Sequence, residues 1–171
     1  MRPDFYLRSA VRPALSLLPA EMSSREAEAM LVAIALQESG LRQRYQLPIR
    51  PGEKAGPARG YAQFESGGVR AILGNPSTRP HAFAVLEALD YPPGNGVAPY
   101  VVQQTMQHND VLTAAFTRLL LWPVAGPLPT RDEERRAYDY YLEAFRPGKP
   151  GPARWPAAWE IAWTTVNEGE G

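Results

Sequence analysis

The 171-residue chain contains no cysteine and only two histidines. The absence of cysteine excludes disulfides and thiolate metal sites, and it leaves the redox compartment open. His81 and His108 lie far apart in the sequence and lack the helical spacing of a His-Glu-x-x-His zinc motif. No glycine-rich phosphate loop follows a strand pattern either. We therefore expect no metal and no other cofactor.

An excess of charge of one sign is also missing. Eighteen Lys and Arg residues balance eighteen Asp and Glu residues, so no global field favours nucleic acid or an anionic membrane. No stretch approaches the roughly 20 apolar residues of a membrane span. Charges at Asp4, Arg8 and Arg12 interrupt any N-terminal apolar run, so we predict no signal peptide. The expected partners include neither nucleic acid nor a membrane into which the chain inserts.

The remaining composition is that of a globular protein. Hydrophobic residues make up 44% and charged residues 21%, and 171 residues suit one domain over 1–171 with one core. Eighteen prolines cluster between apolar segments and mark short, stiff loops. We find no strand alternation, so the sequence predicts an all-α domain with about seven or eight short helices.

Apolar repeats at helical spacing locate the helices. The first covers 4–18, and a capping box with Ser23 as N-cap opens the second, whose apolar residues share one face and which ends near Gly40. Asn109 caps a later helix, and a second capping box begins at Thr130. The remaining predicted helices are 67–73, 80–90, 97–106, 109–121, 130–145 and 155–166. Residues 42–60 are predicted to be an irregular loop, whose basic residues we interpret as solvated: Arg42, Arg44, Arg50, Lys54 and Arg59.

Glu38 is the candidate catalytic residue. At about 100° per residue, position 38 points close to the direction of Leu31 and Ile34, along the apolar stripe. Burial and the negative end of the helix dipole both raise the pKa of a carboxyl, as a general acid working near neutral pH requires. A solvated glutamate at a helix end is the alternative, and periodicity alone does not separate the two.

Two short segments carry a family resemblance. The helix end Ala-Leu-Gln-Glu-Ser-Gly-Leu at 35–41 is followed by Gly-Tyr-Ala-Gln-Phe at 60–64. Together they resemble the soluble lytic transglycosylase and goose-type lysozyme group. In that group a helix ends in a Glu-Ser pair, and a Gly-Leu-Met-Gln-type turn follows some twenty or more residues later. The match covers roughly residues 28–68.

The resemblance implies roles for several side chains. Glu38 would be the catalytic acid, Ser39 would lie near the acetamido region of the substrate, and Gln63 would line the cleft. Gly60 matches the glycine that opens the second motif. Tyr61, which with Ala62 replaces the family's Leu-Met pair, is counted with the substrate-binding residues.

Glu65 and Tyr138 complete the candidate substrate-binding set. Glu65 lies two residues beyond Gln63. It is either a second cleft carboxylate that favours hydrolysis or a first-turn acid that complements the following helix, and we favour the second interpretation. Tyr138 lies in Ala-Tyr-Asp at 137–139, a loose counterpart of the family's Ala-Tyr-Asn motif without its following glycine. A purely structural tyrosine is the alternative.

The resemblance also implies a reaction. The glutamate protonates the leaving oxygen between N-acetylmuramic acid and N-acetylglucosamine, and the 2-acetamido group of the substrate stabilises the sugar cation. The same glutamate then acts as base, which yields a 1,6-anhydro sugar. Peptidoglycan glycan strands are therefore the expected partner, and the expected activity is that of a lytic transglycosylase or muramidase.

A second resemblance points to a source. Segments 56–68 and 140–150 are similar to segments of small lysozyme-like proteins of tailed bacteriophages. This implies a protein of the virion or the host cytoplasm that acts on the cell wall, delivered in the particle or through a holin. The competing hypothesis is a structural tail, neck or ejected-core protein with little or no activity, which would contact other virion proteins.

Three tryptophans near the end of the chain, Trp155, Trp159 and Trp163, share one helix face. They predict either a core stripe or a sugar-stacking subsite. We favour the core stripe, because bulky aromatics at helical spacing usually anchor packing.

Overall fold

The computed structural model describes residues 1–46, 56–91, 98–148 and 151–169. Over these residues it is all-helical, with eight helices and no strands. This confirms the predicted all-α class. Helix α1 is one continuous helix in three segments, Pro3–Tyr6, the π-helical Leu7–Val11, and Arg12–Ser16. The others are α2 (Arg25–Ser39), α3 (Ser66–Gly74), α4 (Arg79–Ala88), α5 (Pro99–Thr105), α6 (Asp110–Leu121), α7 (Glu134–Phe145) and α8 (Trp155–Glu168).

The ends of α2 follow from local chemistry. The backbone of Ser24 is extended, and its hydroxyl oxygen accepts a hydrogen bond from the Ala27 amide at 3.1 Å. The predicted N-cap, Ser23, was therefore wrong by one residue. At the other end, Gly40 takes a positive φ of 61° and its amide donates to the Leu36 carbonyl. This is the predicted glycine stop, since glycine adopts the left-handed region without steric cost.

Helix α2 is the central helix of the fold. The predicted apolar residues of this helix are all buried, and burial extends round the helix, since seven consecutive residues, 29–35, are buried. The helix packs along α8 and also contacts α1 and α6. A helix that is apolar all round belongs in the interior. As a result, the last turn of α2 carries Glu38 outward from the core.

The other two predicted caps have different outcomes. Asn109 accepts a hydrogen bond from the Leu112 amide at 2.9 Å and caps α6 as predicted. The prediction that a capping box at Thr130 begins a helix was wrong. The amide and the hydroxyl of Thr130 both donate to the Glu133 carboxylate, but α7 begins only at Glu134. The contact closes the turn that precedes the helix.

The three tryptophans of α8 belong to the core. Trp155, Trp159 and Trp163 are 1%, 3% and 6% exposed. The indole N–H of Trp155 donates to the Glu134 carbonyl at 3.2 Å, and that of Trp159 donates to the Arg131 carbonyl at 2.9 Å. These contacts join α8 to the start of α7, and burial leaves none of these three indole faces open for a sugar.

Buried side chains from all eight helices join one hydrophobic cluster within the described residues. No helix in this part of the chain is long and apolar enough to cross a membrane.

Candidate functional site

A cleft of about 1010 Å³ opens beside the end of α2. One wall consists of the turn at 58–65 and the start of α3, and the other consists of the ends of α6 and α7. Its lining includes Glu38, Gln63, Glu65, Gly67 and Arg146. The volume is in the range of ligand sites, about 300–1,000 Å³. The cleft therefore brings together three of the residues that the sequence singles out: Glu38, Gln63 and Glu65.

Glu38 is partly buried in this cleft. Its Oε1 accepts a hydrogen bond from the Tyr141 hydroxyl at 2.5 Å. Burial raises the pKa of the Glu38 carboxyl, the Tyr141 hydrogen bond lowers it, and repulsion from Glu65 raises it again. The net direction is upward, because desolvation disfavours the charged carboxylate more than one hydrogen bond favours it. The carboxyl is thus held closer to protonation at neutral pH than an exposed glutamate.

Tyr141 was not among the predicted site residues. It lies on α7, and its ring stacks on Trp155 at a centroid distance of 5.2 Å and packs against Phe145 at 5.5 Å. Burial and the neighbouring Glu38 raise the pKa of the Tyr141 phenol well above its usual value. The phenol therefore stays protonated and acts as the hydrogen-bond donor. The sequence held one indication of Tyr141: it lies in the predicted helix 130–145, about one turn beyond Tyr138.

Tyr138 does not line the cleft. Its ring packs against Tyr141 at 5.9 Å and against Trp155 at 5.5 Å. Its hydroxyl is buried without a hydrogen-bond partner among the described residues. In this structure Tyr138 supports the aromatic cluster behind Glu38, and its predicted contact with substrate stays a prediction.

Gln63 is held in the cleft by a tight turn. Arg59 and Phe64 exchange two backbone hydrogen bonds, of 2.9 and 2.7 Å. Inside this turn the Gln63 side-chain amide donates to the Gly60 carbonyl at 2.9 Å. Gly60 takes a φ of +72°, and a Cβ at this position would lie 2.6 Å from the Thr113 hydroxyl oxygen. The glycine of the predicted motif is thus required by both its backbone conformation and its contact with α6.

Gln103, on α5, is a second residue that sequence reasoning missed. It is buried, and its amide nitrogen donates to the Phe64 carbonyl at 2.9 Å and to the Pro57 carbonyl. It therefore ties both ends of the turn that carries Gln63 to α5. A buried polar side chain of this kind gives no signal in the sequence, because its partners lie about 40 residues away.

Ser39 does not face the cleft. Its side chain is buried, and the hydroxyl donates to the Ala35 carbonyl at 3.1 Å and accepts from the Leu41 amide at 3.2 Å. These bonds satisfy backbone groups where α2 ends. The structure gives Ser39 a role in ending the helix, and its predicted contact with an acetamido group stays a prediction.

Tyr61 also lies outside the cleft. It is buried edge-on against Tyr6 at 5.7 Å, and the guanidinium of Arg44 lies 4.5 Å from its ring centroid. Arg44 also forms a bidentate pair with Asp110, at 2.7 and 2.8 Å. Tyr61 thus joins the turn to α1 and α6 through packing, and its predicted substrate contact stays a prediction.

The interpretation of the basic loop as solvated was wrong for Arg44 and Arg59. Arg44 is paired with Asp110, and Arg59 donates to the carbonyls of Gly56 and Ala58 and to the Gln104 side chain. Arg50 and Lys54 lie outside the described residues. Guanidinium groups with several donors can organise a loop that lacks regular hydrogen bonding.

Glu65 is exposed on the cleft wall immediately before α3. It occupies the N-cap position of that helix, but its side chain makes no capping hydrogen bond. Its effect on Glu38 is electrostatic, through the repulsion described above. Within the described residues, no group of three or more His, Asp or Glu side chains is arranged to hold a metal ion.

The fold and the cleft define an all-helical protein in which a partly buried, protonatable carboxyl faces a large groove. Comparison of the chain with protein-family models, curated proteins and solved structures found no match. The assignment of a function therefore depends on the site itself.

Proposed function

We propose that this protein cleaves the glycan strand of peptidoglycan between N-acetylmuramic acid and N-acetylglucosamine, with Glu38 as the catalytic acid. The observation that carries the proposal is the state of Glu38. It faces the cleft, burial raises the pKa of its carboxyl, and the Tyr141 hydroxyl holds one of its oxygens at 2.5 Å.

Glycosidic cleavage needs a proton on the leaving oxygen, and burial, which raises the pKa of the Glu38 carboxyl and so favours its protonated form, suits this group to deliver it. The Tyr141 hydrogen bond occupies Oε1 and so leaves Oε2 as the oxygen that donates to the substrate. As the bond breaks, Glu38 becomes a carboxylate, and the same hydroxyl stabilises the new charge. Gln63 supplies a neutral amide on the facing wall that suits hydroxyl and acetamido groups.

The fate of the sugar cation depends on the second carboxylate. In one route the 2-acetamido group stabilises the cation, Glu38 takes the proton of the C6 hydroxyl, and the C6 oxygen bonds to C1, which gives a 1,6-anhydro product. In the other route Glu65 activates a water molecule, which gives a reducing end. Because Glu65 is exposed, water can reach it, which favours the hydrolytic route. The partial burial of Glu38, the carboxyl that acts in both steps of the other route, favours the anhydro product.

Digestion of purified peptidoglycan sacculi tests the proposal. Mass spectrometry of the released material would compare the wild type with Glu38→Gln and with Glu87→Gln, an exposed glutamate of α4 outside the cleft. We expect muropeptides from the wild type and Glu87→Gln, and a loss of about 100-fold or more with Glu38→Gln, the typical range for a general acid. Absence of products from the folded wild type would overturn the proposal.

One observation favours the alternative of a structural virion protein. Ser39, which matches the family serine, and Tyr61, which departs from the family's Leu-Met pair, serve packing and do not face the cleft. A structural role predicts that folded protein co-sediments with phage particles and releases nothing from sacculi. Co-sedimentation together with muropeptide release would instead favour an enzyme carried in the virion.

A further inference from the structure

Arg118, on α6, is a buried cation outside the cleft. Its side chain is 4% exposed. Its Nε donates to the Met22 carbonyl at 2.7 Å, and Nη1 is buried without a hydrogen-bond partner. Burial lowers the pKa of the guanidinium to about 10, so the group still carries its charge at neutral pH.

Within the part of the chain that the structure describes, this charge has no carboxylate partner. Among the described residues, no Asp or Glu oxygen lies within ion-pair distance of Arg118. The guanidinium lies over the ring of Trp122, 5.0 Å from its centroid, which offsets part of the desolvation cost. Buried charges are normally paired, because an isolated buried ion is costly.

Arg118 and Trp122 line a second pocket of about 510 Å³, on a different side of the α6 end from the cleft. The pocket also reaches Ser24, the N-cap of α2, where the helix dipole is positive. Two other hydroxyl donors in its lining are already used: Tyr140 donates to carbonyls at the end of α6 and just beyond it, and Thr130 donates to Glu133. The Ser24 hydroxyl accepts from the Ala27 amide, which leaves its O–H as a neutral donor. The guanidinium is therefore the charged donor in the lining that remains for a ligand.

The geometry points to a binding site for the carboxylate of an organic acid in this pocket, with Arg118 as the charge partner and Trp122 and Leu128 as the apolar surface. A singly charged carboxylate suits the pocket better than a phosphate dianion. Glu21 and Glu26 also line it and would repel a second negative charge. This site is separate from Glu38 and does not depend on the proposed glycan cleavage.

Titration of ¹⁵N-labelled protein with sodium benzoate tests the site, with the Nε–H resonance of Arg118 as the readout. Benzamide serves as the neutral isostere, and sodium chloride keeps the ionic strength constant. We expect saturable binding of benzoate at least ten times tighter than that of benzamide. Glu38→Gln should bind benzoate as the wild type does, which keeps this test distinct from the test of catalysis.

Two variants decide the role of the charges. Arg118→Met should abolish benzoate binding, as followed by calorimetry. Since a buried substitution can prevent folding, the double variant Glu21→Gln/Glu26→Gln provides an independent arm. Removing the two negative charges should tighten benzoate binding several-fold. Equal binding of benzoate and benzamide, tighter binding of inorganic phosphate, or no gain in the double variant would overturn the proposal.

Discussion

The Tyr141 hydroxyl donates to Glu38 Oε1 at 2.5 Å, which joins two residues 103 positions apart in the chain. The bond lowers the pKa of Glu38, whereas burial and Glu65 raise it. The acidity of the candidate catalytic group is therefore set by opposing contributions from three parts of the chain. The contributions of Tyr141 and Glu65 can each be removed by one substitution.

Tyr141→Phe should raise the pKa of Glu38 further, because it removes the donor that stabilises the carboxylate. If Glu38 is the acid, the fall in activity at alkaline pH should move to higher pH. The maximal rate should drop between about two- and tenfold, the worth of one hydrogen bond. A ¹³C NMR titration of the Glu38 carboxyl measures the pKa directly. A pKa that falls or stays constant would show that the hydrogen bond does not form in solution.

Glu65→Gln should shift the pKa of Glu38 in the opposite direction to Tyr141→Phe. Removing the negative charge favours ionisation of Glu38, so its pKa should fall and the alkaline limb of the activity profile should move to lower pH. Because Glu65 is exposed, added salt screens its effect. The difference between wild type and variant should therefore shrink at 1 M salt in the same NMR titration. A difference that does not depend on salt would point to a structural change instead.

Glu38→Gln should make the protein more stable at neutral pH. Since burial raises the folded-state pKa of Glu38, the folded protein holds a proton that the unfolded chain releases. The stability of the wild type therefore falls as the pH rises from the unfolded value toward the folded one. Glutamine has no such penalty and still offers an oxygen to Tyr141. Thermal unfolding should show a higher Tm for the variant at pH 7 and no gain at pH 3; an equal gain at both pH values would contradict the explanation.

Gly60→Ala should destabilise the protein by about 2–5 kcal/mol. The positive φ costs about 1–2 kcal/mol for a residue with a Cβ, and overlap with Thr113 adds roughly 1–3 kcal/mol. Gly67→Ala is the matched control, because a Cβ there meets nothing within 4 Å. Its effect should lie within about 1 kcal/mol. Urea unfolding measures both, and equal stabilities of the two variants would argue against the tight turn.

Gly67→Phe should block the cleft without unfolding the protein. Gly67 lines the cleft and has open space around it, so the ring would occupy the groove. On the proposed function, release of muropeptides should fall at least about tenfold, while the Tm changes little. Gly74→Phe, on the same helix but outside the cleft lining, is the control and should keep full activity. Full activity of Gly67→Phe would exclude this groove as the substrate site.

The sequence alone determined the features that depend on neighbours along the chain. The stop at Gly40 and the cap at Asn109 were predictable, because a cap bonds to backbone groups within about four residues. The all-α class followed from apolar periodicity. The position of Glu38 at the end of an apolar helix was also predictable, and it supplied one residue of the candidate site. The shift of the α2 cap from Ser23 to Ser24 marks the limit of such reasoning, since adjacent serines carry the same signal.

The tertiary structure decided which side chains face the cleft and which side chains contact one another. Ser39 and Tyr61 were both predicted to bind substrate, yet packing turns them away from the cleft. Tyr141, which the sequence analysis passed over in favour of Tyr138, reaches Glu38 because α7 places it there on the face of Trp155. Local propensity cannot rank such contacts, since their energies come from burial between segments far apart in the chain. The sequence thus singled out Glu38 as the candidate acid, and only the tertiary structure, through Tyr141 of α7 and the cleft at the end of α2, set the partner of Glu38 and the upward direction of its pKa.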